Sequence, residues 1–243
     1  MRYLLNIAYD GAEFNGWQSN PNGRTVQDTI EYALSSLMKK QVRITGASRT
    51  DTGVHALDQY AHFDHDKELP HSMLFDGMNS ILPYDVRIKG VNPVSSNFHS
   101  RFSAIYKIYT YIITAMPVSL PFLSRYSLNI RKTLDYESME KATGMFAGQK
   151  DFSAFRASGC SARSPVITLE RAEMIRRMDK IYLVFKARSF LQHMIRNIVG
   201  CILYAGLKKI EPDHIKYLFE KKDRRLSPPT AVPNGLFLMK IGY

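Results

Sequence analysis

Apolar and polar residues alternate over residues 2–10 (RYLLNIAYD) with the two-residue period of a half-buried strand. Asp10-Gly11 breaks the alternation, and a loop with Phe14, Gly16 and Trp17 follows. Over 25–39 the period becomes helical: Val26, Ile30, Ala33, Leu34, Leu37 and Met38 fall on one face. Thr25 is placed as the N-cap, and Asp28 sits in the first turn, where a negative charge is favoured. The pattern then predicts strands at 41–47 and 57–64, a helix over 71–82 that ends at Pro83, and a strand at 85–92.

The second half repeats this style. In IYKIYTYII (105–113), Ile105, Lys107, Tyr109, Tyr111 and Ile113 share one strand face. A loop with Pro117 and Pro121 leads to a helix over 135–147, striped by Met139, Ala142, Met145 and Phe146. After the small-residue loop FRASGCSARSP (155–165), strands at 166–176 and 181–188 flank Met178-Asp179-Lys180. An apolar helix, FLQHMIRNIVGCILYAG (190–206), stops at Gly206. A short helix over 211–222, acidic at its start and basic at its end, precedes the closing strand LFLMKIGY. The expected fold is α+β: two similar α/β lobes, residues 1–104 and 105–243, sharing one continuous sheet, with a cleft between lobes as the place for a site.

Charge narrows the class of partner. The 243 residues hold 33 Lys and Arg against 22 Asp and Glu, a net charge of +11. Such a surplus favours a polyanion, nucleic acid first. Basic clusters at Arg24, at Arg156 and Arg163, at Lys208 and Lys209, and in KKDRR (221–225) could track a phosphate backbone. No apolar run approaches the roughly 20 residues of a spanning helix, and the apolar start of MRYLLNIAYDG is too short for a secretion signal. Cys160 and Cys201 stand alone, so a reducing cytoplasmic location is expected.

Candidate chemistry concentrates in SRTDTGVH (48–55). Gly53 permits tight backbone geometry around Asp51, and Arg49 would keep that carboxylate ionised or meet a phosphate. An ionised aspartate serves as nucleophile or general base; it also serves as a simple turn cap. Arg196, inside an apolar helix, needs a hydrogen-bonding or charged partner, because burying it alone is costly. Asp51 or backbone carbonyls would both answer that need. Tyr109 is either core packing or a platform for an unstacked base. His62, Asp64, His65 and Asp66 offer a metal reading, that of a metal-dependent RNA hydrolase, but without the spacing of a known metal motif. A third reading is a tRNA-binding protein without catalysis. No phosphate-binding glycine loop is present, so no cofactor is expected.

Taken in order, the motifs YDGAEFNGWQ, TVQDTIEYAL, ASRTDTGVHALDQYAHF, FHSRFSAIYKIYTYII, DFSAFRASGCSARSP, FLQHMIRNIVG and GLFLMKIGY resemble the TruA family of tRNA pseudouridine synthases over nearly the whole chain. The resemblance implies two α+β lobes joined across a central antiparallel sheet with a basic active-site cleft, a homodimer bridged by tRNA, and no cofactor or metal. It implies isomerisation of uridine at positions thirty-eight to forty of the anticodon stem-loop. Asp51 matches the family's catalytic aspartate, Arg196 the basic residue paired with it, Tyr109 the tyrosine stacked on the target base, and Arg49 the arginine that helps displace it. Ser48 and Thr52 depart from the family's usual glycine and alanine.

Overall fold

The computed structural model describes residues 1–243. The chain runs β1 (Arg2–Tyr9), α1 (Val26–Met38), β2 (Thr45–Gly46), β3 (His55–Asp64), α2 (His71–Ile81), β4 (Val86–Val94), β5 (Tyr106–Thr114), α3 (Pro121–Ser124), β6 (Leu128–Asn129), α4 (Tyr136–Gly144), β7 (Gly148–Asp151), β8 (Val166–Arg177), β9 (Lys180–Ala187), α5 (Met194–Gly206), α6 (His214–Lys221) and β10 (Leu236–Gly242). This is the expected α+β composition. It divides into two units, Met1–Ile105 with Phe237–Tyr243, and Tyr106–Leu236. The closing residues group with the first unit because β10 runs parallel to β3, with Phe237 opposite His55.

In the first unit, β1 is flanked by two antiparallel neighbours, β3 and β4. The alternation read from RYLLNIAYD is real: Leu5 and Ile7 are fully buried. The apolar face of α1 closes over the core with Val26, Ile30 and Leu34, and α2 adds Leu74 and Met78, all fully buried. Thr25 caps α1 as expected, its hydroxyl accepting from the Asp28 amide at 3.2 Å.

In the second unit, β5, β9, β8 and β7 form an antiparallel series, and β6 adds to β5 in parallel. Tyr111 faces Leu183 and Ile113 faces Ile181 across the β5–β9 ladder, and all four are buried. The strand face predicted for Tyr109, Tyr111 and Ile113 is therefore a core face. Met139 and Ala142 of α4, with Met194, Ile198 and Ile202 of α5, are buried with them. A second cluster holds Phe146, Phe152, Phe155 and Phe219, with ring centroids 5.0–5.9 Å apart.

Two sequence expectations shift, and three short elements were not foreseen. The strand expected at 41–47 shrinks to Thr45–Gly46, because the Ile44 amide bonds the Glu31 carboxylate of α1 at 3.0 Å instead of a neighbouring strand. The helix expected from 190 begins at Met194, after His193 turns the chain with a left-handed φ of 61°. The short elements α3, β6 and β7 carry too few residues to show a period. No helix is long and apolar enough to cross a membrane.

Candidate active site

The SRTDTGVH stretch leaves β2 and enters β3 as a loop anchored from behind. The hydroxyls of Tyr9 and Thr50 meet at 2.8 Å in the interior. Trp17 N–H donates to Thr50 O at 3.1 Å, and Gly53 N–H donates to Phe14 O at 3.3 Å. The loop closes on itself where Val54 N–H donates to Asp51 O at 3.1 Å. That turn takes Gly53 to a φ of +77°, which glycine adopts without steric cost. Asp51 is left half-buried between pinned neighbours, while Arg49 and Thr52 are exposed. Neither Ser48 nor Thr52 takes a positive φ, so both departures from the family pattern carry their side chains without backbone strain.

The sequence block YDGAEFNGWQ is the backing of this loop. A Cβ added to Gly11 would lie 2.0 Å from Val54 O, and one on Gly16 would lie 2.7 Å from Thr50 O. These glycines let one backbone lie directly against the other. Trp17 extends the contact to β2, where a Cβ on Gly46 would strike its indole at 2.4 Å.

The second unit carries the other two candidates. Tyr109 is 5% exposed on β5, and its ring meets Phe190 edge-on at a centroid distance of 5.1 Å. Arg196 stands half-buried in the first turn of α5. Its Nε donates to Ala231 O at 2.8 Å, and the Ala231 amide donates back to Arg196 O at 3.0 Å. Fixing Nε sets the plane of the guanidinium, the property needed for a directional bond to a carboxylate. The segment before Ala231 approaches α5 at Gly200, where a Cβ would lie 2.1 Å from Pro229 O.

Sequence reasoning missed the network that holds this segment. Asn197 is 1% exposed; its amide donates to Phe155 O at 2.8 Å, and its oxygen accepts from Thr230 at 2.7 Å and from Arg224 at 3.0 Å. Arg224 also donates to Thr230 Oγ1 and to the carbonyls of Ser227 and Pro228. A polar residue directly after Arg196 in an otherwise apolar helix was the one available signal.

Residues 6–103 and 142–243 match the profile of a family described as tRNA pseudouridine synthase. The chain belongs to the tRNA pseudouridine synthase family. It is 44% identical over 243 residues to the tRNA pseudouridine synthase A of Methylobacillus flagellatus, covering 100% of this chain and 93% of that relative. The corresponding protein of Burkholderia thailandensis is 40% identical over 243 residues, covering 100% of this chain and 90% of the relative. That of Paraburkholderia phytofirmans is 38% identical over 242 residues, with the same coverage of each chain. Enzymes of the tRNA pseudouridine synthase family are isomerases with tRNA as substrate.

In this synthase the histidine-aspartate group of β3 is already engaged. His62 Nδ1 lies 2.9 Å from the Ser100 hydroxyl and accepts from the Ser100 amide at 3.2 Å. Asp64 makes a two-pronged pair with Arg2 at 2.8 and 2.7 Å. No three His, Cys, Asp or Glu side chains are grouped to hold a metal ion. Burial, reinforced by Arg2 and His99, pushes the His62 imidazole down to about 4. An unfolded histidine titrates near 6.5, so the unfolded chain takes up this proton first as pH falls. Stability contributed by neutral His62 is complete above pH 6.5 and lost progressively toward pH 4, by roughly 2–3 kcal/mol. Urea denaturation at the two ends of that window should show a smaller acid loss in His62→Gln than in wild type. Equal losses would refute the assignment.

The expected basic clusters are largely consumed internally. Arg24 pairs with Asp85 at 2.7 and 2.8 Å and lies over the Phe14 ring. Lys208 reaches Asp135 at 3.5 Å, and Lys222 reaches Asp151 at 2.9 Å. Within KKDRR, Arg225 pairs with Asp223, and Arg224 belongs to the Asn197 network. By contrast Arg49, Arg163 and Arg188 are exposed and Arg156 is half-exposed, and none of the four has an ion-pair partner. The 156–163 loop is tied to the 188–193 turn by Ala157 N–H donating to Gln192 O at 3.0 Å. Arg224→Ala should therefore lower stability by about 2–3 kcal/mol while leaving the salt dependence of tRNA binding unchanged. Arg163→Ala should do the reverse, reducing the slope of log Kd against log salt by about one. Melting curves and salt-titrated binding check both, and a shallower slope for the Arg224 variant would contradict the account.

Proposed function

We propose that this protein isomerises uridine to pseudouridine at positions thirty-eight to forty of the tRNA anticodon stem-loop, with Asp51 as the nucleophile. The observation that carries this reading is the Asp51 loop: a half-buried aspartate held between anchors at Thr50 and Gly53. A uridine inside a stem is out of reach, so it must leave the stack, at a cost of a few kcal/mol. Arg49, exposed two residues before Asp51, helps displace it. Asp51 assists cleavage of the bond between C1′ and N1. The freed uracil turns, C5 bonds to C1′, N1 gains a proton and C5 loses one, so atoms and electrons balance without a cofactor. Tyr109 holds the ring by stacking. Arg196, its plane fixed by Ala231, keeps the Asp51 carboxylate oriented and charged. The unpaired cations Arg156, Arg163 and Arg188 meet the RNA backbone. The working form is a homodimer in the cytoplasm.

The test uses tRNA transcripts that retain one uridine among the three positions. Each is incubated with the protein and a chelator, digested, and separated for pseudouridine. Pseudouridine in these transcripts, and none when all three are replaced by cytidine, supports the reading. Pseudouridine persisting in the fully replaced transcript would move the site elsewhere in the tRNA.

A further inference from the structure

We propose that Gln59 is the positioning residue that sets where the Asp51 loop leaves the sheet. This rests on the reading of Asp51 as nucleophile. β2 pairs with β3 through Thr45 opposite His62 and Gly46 opposite Ala61. The series continues with Ala47 N–H donating to Tyr60 O at 2.7 Å. The next pair would be Ser48 and Gln59, and there the backbone ladder stops. The Gln59 side-chain amide takes its place. Its nitrogen donates to Ser48 O at 2.7 Å, and its oxygen accepts from Ser48 N at 3.1 Å and from Tyr60 N at 3.2 Å. Gln59 is fully buried.

The side chain thus behaves as an inserted peptide unit. It satisfies the donor and acceptor of Ser48 that a neighbouring strand would otherwise satisfy, and it displaces the loop from the strand line. Three residues later the chain reaches Asp51, with Thr50 already fixed by Tyr9 and Trp17. Of side chains this long, a primary amide carries a donor and an acceptor in the needed arrangement at any pH, and a carboxyl group does so only when protonated. A shift of about 1 Å at a reacting group costs on the order of a hundredfold in rate, so losing this anchor acts on turnover more than on binding.

The chemistry of the amide gives a test that a merely structural role would not pass. Gln59→Met removes all three bonds. Gln59→Glu keeps the shape, and its protonated acid restores the donor to Ser48 O, whereas its carboxylate does not. Burial raises the pKa of such an acid. The charged and titratable groups on the surrounding strands and loop include Arg49, Asp51, His55, Asp58 with its partner Lys89, Tyr60, His62 and Tyr9. They are common to both proteins, so a difference between the two profiles belongs to position 59. Single-turnover rates and tRNA affinities are measured for wild type, Gln59→Met and Gln59→Glu between pH 8.5 and 5.5, conditions chosen as roughly the range over which a buried acid titrates. The expected result is a rate loss of about a hundredfold in Gln59→Met with affinity within about threefold of wild type. In Gln59→Glu the rate relative to wild type should rise at least about tenfold as pH falls. A Gln59→Met rate near that of wild type, or a Gln59→Glu profile parallel to it, overturns the proposal. Asp51→Asn, run on the same substrate, reads the underlying assignment separately. Turnover in that variant sinks the Asp51 role, whereas an inactive Asp51→Asn beside a fully active Gln59→Met sinks only the role of Gln59.

Discussion

Asp51→Asn should reduce single-turnover pseudouridine formation by at least about 10⁴-fold, with tRNA affinity within about threefold of wild type. The substitution is isosteric. The loop-shaping bonds made by the Asp51 carbonyl, Thr50 and Gly53 stay in place in this variant. A folded, tRNA-binding, inactive variant is therefore the expected outcome, and it separates chemistry from recognition. A reduction smaller than about tenfold would be too little for loss of a nucleophile.

Gly16→Ala should be strongly damaging although it lies outside the reacting groups. Gly16 has a φ of +83°, and an added Cβ would lie 2.7 Å from the carbonyl oxygen of Thr50, the residue immediately before Asp51. The backbone on both sides is held, by Trp17 N–H to Thr50 O and by Val26 N–H to Gly16 O, so the strain is relieved by moving the Asp51 loop. The expected effect is about 1–3 kcal/mol of stability and about a hundredfold in turnover. Thermal melts and single-turnover rates check the two parts independently. An unchanged rate would show that the contact does not position Asp51.

These effects explain which features could be read from the sequence. The Asp51 loop was legible because its requirements are local: a glycine for the turn and an aspartate within it. The helices at Val26–Met38 and Tyr136–Gly144 were legible because one face of each is buried, which writes a helical period. Gly11 and Gly16 could be seen, but not their reason, since the atoms they approach lie about forty residues away in the chain. Gln59 was invisible for a related cause. It occupies an inward strand position as a polar residue, and only its partner at Ser48 explains that. Which members of the basic clusters are paired internally was not legible, because composition counts charges without their partners. Arg224 looks like a surface cation in KKDRR, yet it donates to Asn197, Thr230 and two carbonyls. Arg163 and Arg188 look no different in sequence and have no ion pair.

The most direct test of the central claim follows the hydrogen at uracil C5. Joining C5 to the sugar must expel it, whatever intermediate Asp51 forms. Transfer RNA transcripts tritiated at that carbon are incubated with the protein in chelator, with no cofactor added, and with Asp51→Asn alongside. Tritium release by the wild type, absent in the variant, is the predicted result. Tight tRNA binding by the wild type with no tritium released would contradict it.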